Sequence, residues 1–284
     1  LPARGGPGAT HDYFGSLEAF VSTGRRVILY DQLGAGKSDR INKPSLWTVE
    51  LYVEELGEIR RTLGLEGIHI LGHSWGGQLA LEYALTQPEG LASLVLADTL
   101  ASAPQWAKEA RKLIRALPLE VQQTIQEHES AGTIDSPEYQ EACRIFSCRH
   151  AGGHIDPKPD WVKRAFEKLE NNEVYLTMWG PSEFCVSGTL KDWDITDRLG
   201  EIHVPALVLC GRDDEATPTL AETIHRGIPN SELVIFEHSA HFPHIEETER
   251  YLQVLEAFLS RVEINSDLYT HSTPPSDLQG GDYP

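Results

Sequence analysis

Short, nearly uninterrupted apolar runs alternate along this chain with longer stretches in which apolar residues recur every three or four positions. "RVILYD" (26–31), "IHILGHS" (68–74) and "LASLVLAD" (91–98) have the pattern of strands buried on both faces. Between the first two, "TVELYVEELGEIRRTLG" sets Val53, Leu56, Ile59 and Leu63 at helical spacing, with Gly64 where a C-cap belongs. After Ser74, "GGQLALEYALTQP" reads as a helix that closes before Pro88. Strand, helix and strand in this order predict a parallel sheet with crossover helices, an α/β fold.

The pattern changes between about Ala101 and Trp193. "APQWAKEARKLIRALP", "SPEYQEACRIF" and "PDWVKRAFEKLE" are charged helical stretches with no clear strand among them, which predicts a helical insertion. Strand patterning resumes in "PALVLCG" (205–211) and "SELVIFEHS" (231–239), and "TERYLQVLEAFLSRV" is the last helix. The expected organisation is therefore a core from 1–100 and 194–264, a helical cap over 101–193, and a tail over 265–284. That tail is polar, rich in Pro and Gly, and expected to be disordered.

A chain of 284 residues with 40% hydrophobic and 24% charged residues is an ordinary globular composition. No apolar run approaches the roughly 18 residues that a membrane helix needs. The chain shows no positively charged start followed by an apolar stretch, though it opens on Leu1 rather than Met. A formal charge of −19 disfavours nucleic acid and anionic membranes as partners. The four cysteines (Cys143, Cys148, Cys185, Cys210) lack metal-site spacing and read as reduced thiols of a cytoplasmic protein. No metal or organic cofactor is implied.

"DQLGAGKS" (31–38) ends like a phosphate-binding loop. Such a loop requires glycine five positions before Gly36, and that residue is Asp31, whose carboxylate would repel a phosphate. The stretch reads instead as a Gly-rich turn leaving a strand, with Asp31 accepting the turn's amides and Lys37 in solvent.

The strongest chemical signal is "LGHSWGGQLALEYAL". Gly72-His73-Ser74-Trp75-Gly76 fits Gly-x-Ser-x-Gly between a predicted strand and a predicted helix, the context that lifts a serine hydroxyl out of a sheet. The helix N-terminus and the Trp75 amide favour a developing oxyanion. An acid and then a histidine should follow on loops after later strands. "GRDDEATP" offers Asp213 and Asp214, and "EHSAHFPH" offers His238, His241 and His244. Ser239 and Ala240 let His241 clear the strand end, whereas His238 lies too close to it and His244 is placed to pack or cap near the next helix. Asp98, ending "LVLAD", is the alternative acid.

Several of these stretches together resemble the proline iminopeptidase family of α/β-hydrolases. They are "GGPGATHDYF", "YDQLGAGKSD", "GHSWGGQLALEYAL", "GPSEF", "GTLKDWDITDRL", "GRDDEATP" and "SAHFPH", spread from residue 5 to about 262. The resemblance implies Asp214 as the acid, His241 as the base, and Gly6 with Trp75 as amide donors to the oxyanion. It further implies release of an N-terminal residue, typically proline, from a peptide or amide, with Glu183 and Glu215 facing the substrate's free amine. Trp179 and Phe184, near Glu183, would wall an apolar slot for the proline ring or serve as cap core.

The start departs from the family pattern. Arg4 stands where the family has a histidine, and only Leu-Pro-Ala precede it, so N-terminal strands appear missing and an interrupted, poorly stable sheet is expected. Two other readings stay open: an esterase, lactonase or amide hydrolase on a small metabolite, and an inactive hydrolase that serves as a binding protein. Serine rather than aspartate at position 74 disfavours epoxide hydrolysis and dehalogenation.

Overall fold

The structure, a computed structural model, describes residues 1–3, 5–152, 155, 157–169 and 172–265. Arg4 and all but the first residue of the 265–284 tail lie outside the described residues. The centre of the fold is a five-stranded sheet, all parallel, in the order β1 (Pro2–Ala3), β2 (Ile68–His73), β3 (Leu91–Ala97), β4 (Ala206–Gly211), β5 (Ser231–Phe236). Alternate residues of the apolar runs go to opposite faces. Leu94 and Leu96 join Ile70 and Val208 in one cluster; Val95 and Ala97 join Leu71, Leu207 and Leu209 in another. Burial of both faces explains why these strands read as continuous apolar runs. Each fully buried Leu or Val contributes about 1.5–3 kcal/mol.

Helices cover both faces. α1 (Val49–Thr62), α2 (Trp75–Leu85) and α8 (Pro218–Gly227) lie on one side. A 3₁₀ segment, His11–Thr23, and the last helix, α10 (Thr248–Asn265), lie on the other. The Thr48 side chain accepts from the Leu51 amide to cap α1, a contact worth about 1 kcal/mol.

Between β3 and β4 the chain forms α3 (Ala103–Arg115), α4 (Leu119–Ala131), α5 (Pro137–His150), α6 (Asp160–Leu169) and α7 (Glu173–Met178). Ser102 and Ser136 cap α3 and α5 with their hydroxyls. α9 (Pro243–Glu246) is a single turn between β5 and α10.

One expected strand does not form. Residues 26–31 form no regular element and bond into no ladder among the described residues. Their side chains still alternate, Val27 and Leu29 toward one cluster and Ile28 toward the other. Among the described residues no strand lies against them to take their hydrogen bonds. β1 reaches only far enough to pair Pro2 with Leu71 and Ala3 with Gly72. Between Val27–Ile28 and the start of β2 lies a cavity of about 450 Å3, lined among others by Leu17, Phe20, Ile68 and Leu71. A strand exists only with a partner to take its hydrogen bonds.

The Gly-rich turn is as the sequence predicts. Asp31 accepts from the Lys37 amide (2.9 Å) and the His11 amide (3.0 Å) through its two carboxylate oxygens, and Lys37 is exposed. Gly36 has φ of 52°, and a Cβ there would stand 2.1 Å from Asp31 Oδ2. The carboxylate occupies the turn.

Candidate active site

Ser74 sits between the end of β2 and the start of α2, as the residue before the helix, with φ 54° and ψ −122°, a conformation L-residues rarely adopt. Glycine makes the turn possible: a Cβ on Gly72 would stand 2.2 Å from the Gly76 carbonyl oxygen. Backbone bonds hold the serine from both sides. Its amide donates to Ala97 O (2.9 Å), and its carbonyl accepts from the Gly77 amide (2.8 Å) and the Thr99 hydroxyl (2.7 Å). Trp75 is the first residue of α2.

The loops after β4 and β5 bring an acid and a base together. His241 Nδ1 lies 2.7 Å from Asp214 Oδ1, and that oxygen also accepts from the Ala216 amide (2.8 Å). Asp214 is buried, whereas Asp213 is exposed and its carbonyl meets His150 Nδ1 (2.8 Å). The two aspartates that the sequence offers are thus separated by orientation. His238 is exposed; His244 is buried, with Nε2 3.2 Å from Tyr13 O. Burial opposes the charged form of His241, but the Asp214 charge and hydrogen bond, with Glu183 behind them, outweigh it and raise its pKa. The alternative acid, Asp98, does not reach His241. It accepts from the Gly211 amide (3.1 Å), and its other oxygen lies 3.7 Å from His73 Nε2. Burial, then the nearby Asp214 charge, pushes the Asp98 carboxyl well above its usual range.

Ser74 and His241 line one cavity of about 230 Å3, together with Gly5, Gly6, Tyr13, His73, Glu183, Glu215 and Phe242. Small side chains, Ser147 and Ala151 from the end of α5 and Ala165 of α6, complete its wall. Two carboxyl groups therefore face a serine and a histidine. Glu215 is 2% exposed, and its Oε1 lies 3.8 Å from His241 Nε2. Burial, then the charges of Glu183 and Asp214, pushes Glu215 well above the ordinary carboxylate range. Glu183 is raised by burial, partly offset by a hydrogen bond from the Tyr175 phenol and by His241. Among the described residues neither is paired with a Lys or Arg.

Two of the expected wall residues are elsewhere. Trp179 and Phe184 do not line the cavity that holds Ser74. The Trp179 indole donates to the Glu183 carbonyl (3.3 Å), and Phe184 packs on Phe146 and Tyr139 between the inserted helices. Trp106, which carried no sequence signal, joins Trp179 in donating to Glu183 O (2.8 Å).

Asn172 is a second unforeseen participant. Its Nδ2 reaches Gly8 O and Gly34 O (3.3 Å each), while Oδ1 accepts from the Val174 amide (2.8 Å) at the start of α7. A Cβ on Gly8, at φ 94°, would overlap this amide. One side chain joins the "GGPG" loop, the Gly-rich turn and α7. Among the described residues no group of three or more His, Cys, Asp or Glu side chains could hold a metal ion, and no helix is long and apolar enough to cross a membrane.

The family model for the α/β hydrolase fold matches residues 3–248. The chain is 44% identical to the proline iminopeptidase of Heyndrickxia coagulans over 91% of its own length and 89% of the relative's. It is 44% identical to that of Clostridium botulinum over 91% and 88%. The crystal structure of Mycobacterium smegmatis proline iminopeptidase superposes with a TM-score of 0.87 at 38% identity, covering 94% of this chain and 90% of that one. The chain belongs to the α/β-hydrolase fold family and, within it, to the proline iminopeptidase family.

Proposed function

We propose that the protein is a serine aminopeptidase that releases an N-terminal residue, preferably proline, from small peptides or amides. Its relatives are proline iminopeptidases by name. The observation that carries the reading is one small cavity holding Ser74, His241 and two carboxyl groups, the buried Glu215 and the half-buried Glu183, that no Lys or Arg neutralises among the described residues. A buried charge is costly without a counter-ion. A substrate's N-terminal ammonium supplies one to Glu183 and Glu215.

In the proposed reaction Ser74 Oγ attacks the substrate carbonyl carbon while its proton passes to His241 Nε2. Asp214 holds the imidazole by Nδ1 and stabilises the cation. The amides of Gly6 and Trp75 take the oxyanion. The C–N bond breaks as His241 returns its proton to the leaving nitrogen. Water then attacks the acyl-enzyme, with His241 acting as base again, and frees the amino acid and Ser74.

On this reading residues 101–193 form a cap over the strand ends, since they supply Ser147, Ala151, Ala165 and Glu183 to the cavity. The cavity suits a compact N-terminal residue, and the charge of −19 suits a cationic substrate better than a polyanion. We place the protein in the cytoplasm, which its four free cysteines support.

A panel of amino-acid arylamides beside simple aryl esters tests the assignment. The expected result is turnover of free-amine arylamides with prolyl arylamide foremost. Turnover confined to the esters would favour the esterase alternative.

A further inference from the structure

Ser74 is preceded by a histidine that the proposed reaction does not use. His73 is 1% exposed and occupies the cavity wall between the "GGPG" loop and the loop of His241. Its Nε2 lies 2.8 Å from the His241 carbonyl oxygen, which only accepts, so Nε2 carries the proton. Burial, then the charges of His241 and His244, holds the His73 pKa well below its ordinary value, so the ring is neutral and Nδ1 is a bare acceptor. The Tyr13 hydroxyl lies 3.3 Å from Nδ1 and donates to it. The same oxygen accepts from the Gly5 amide. Every donor in this chain has an acceptor: Gly5 N–H to Tyr13 Oη, Tyr13 O–H to His73 Nδ1, His73 Nε2–H to His241 O.

The packing leaves these groups little freedom. A Cβ on Gly5 would stand 2.8 Å from both His73 Nδ1 and Ser74 Cβ, and 3.0 Å from Tyr13 Oη. The His73 ring stacks on Phe242 (centroids 5.3 Å, 21° between planes) and meets the His241 ring edge-on at 4.8 Å. Its neighbours on either side are thus the residue before Gly6 and the backbone of His241. Those two segments carry the proposed oxyanion donor and the proposed base, and they approach Ser74 from different parts of the chain.

We propose that Tyr13 and His73 are positioning residues, a hydrogen-bonded bridge that fixes the Gly5–Gly6 loop and the His241 loop in register across Ser74. The inference rests on the proposed catalytic roles of Gly6 and His241. It goes beyond them in assigning the register to two cavity-lining side chains to which the proposed reaction gives no chemical role. Loss of register acts on the transition state of any acyl transfer, because the oxyanion donor and the base are common to all of them. Loss of an amine contact acts on amine substrates alone.

The test uses Tyr13→Phe, His73→Asn and His73→Gln in the full chain. The phenyl ring retains Tyr13's packing and removes only the hydroxyl. Asn retains an acceptor near the Nδ1 position, and Gln retains a donor near Nε2. Active sites are counted with a small aryl fluorophosphonate, which carries no amine, and kcat and KM are read per active site on prolyl arylamide and on aryl acetate. For Tyr13→Phe the bridge predicts a kcat loss of about 10- to 100-fold on both substrates, with KM within about twofold. The rate of Ser74 phosphonylation should fall in parallel. That rate decides the matter even where the parent proves inactive on arylamides, which would sink the aminopeptidase reading but not the bridge. The double variant Tyr13→Phe/His73→Gln should lose little more than either single, since both cut one chain. Unchanged kcat per active site in Tyr13→Phe, a loss confined to the arylamide, or losses that multiply in the double variant would each overturn the bridge. Where a His73 variant fails to show a cooperative thermal transition, Tyr13→Phe alone decides.

Discussion

Nε2 of His241 stands 3.8 Å from Oε1 of Glu215, the residue directly after the Asp214 that holds the opposite ring nitrogen at 2.7 Å. One short loop after β4 thus addresses both ends of the imidazole. On the proposed reading Asp214 orients the base, and Glu215 places the substrate's ammonium within a few ångströms of the bond to be cut. Chemistry and exopeptidase selectivity then share a single backbone turn.

The triad assignment predicts a sharp hierarchy among neighbours. Ser74→Ala and His241→Ala abolish turnover, and Asp214→Asn lowers kcat by about 10⁴ through the wrong tautomer. Asp213→Asn and His238→Ala, both at exposed positions, leave activity near the parent's. His244→Ala keeps most of its activity per active site but lowers the thermal midpoint, because His244 is buried against Tyr13 and Phe14. Steady-state kinetics with active-site counting checks each. A severe Asp213→Asn would mean that the wrong aspartate has been assigned.

The amine clamp predicts a split between substrates. Removing one partner of a buried charge pair costs about 2–5 kcal/mol, or roughly 30- to 4000-fold. Glu183→Gln and Glu215→Gln should each lower kcat/KM for prolyl arylamide by that order, and lower aryl acetate hydrolysis far less. Equal losses on both substrates would assign the two glutamates to the fold.

The raised pKa of His241 sets the acid limb of the pH profile. The base acts in its neutral form, so activity falls as pH drops through the raised value. On aryl acetate, whose binding needs no ammonium, kcat/KM should therefore lose half its plateau above pH 6.5, the ordinary histidine value. A midpoint at or below 6.5 would contradict the charge arrangement around the ring.

Glu215 carries a cost that stability measurements can read. A carboxyl whose pKa is raised in the folded state favours folding fully only below its unfolded value, near 4.5, and that contribution is lost as pH rises through the folded value. Glu215→Gln is uncharged throughout. Its thermal midpoint relative to the parent should thus be near zero change at about pH 4 and increasingly positive toward about pH 8. A shift independent of pH would point to packing instead.

The legible parts of the sequence were those in which a local pattern is also the physical requirement. Gly72 and Ser74 could be read because the strand-to-helix turn needs glycine where Gly76 O passes. Asp31 could be read because its carboxylate takes the place of a phosphate in the Gly-rich turn. The residues alone left Asp213 and Asp214 open, since neighbours in a loop differ only in which way they face; the family pattern chose Asp214, and the fold turns that side chain inward. "RVILYD" misled because its apolar alternation records burial, whereas a strand also needs a neighbour. α4, "LEVQQTIQEHESA", carries a weak helical signal because only Val121 and Ile125 of it are buried. The roles of Trp106, Asn172 and the Tyr13–His73 bridge depend on partners 77, 164 and 60 residues away in the chain, and no local pattern reports those.

The central claim is that the cavity reads a free amine before Ser74 acts, and blocking that amine tests it most directly. Hydrolysis of prolyl arylamide is compared with hydrolysis of N-acetylprolyl arylamide, which keeps the ring, the scissile bond and the leaving group but has no ammonium. The account predicts that acetylation lowers kcat/KM by about two orders of magnitude or more. Comparable rates on the two substrates would contradict it.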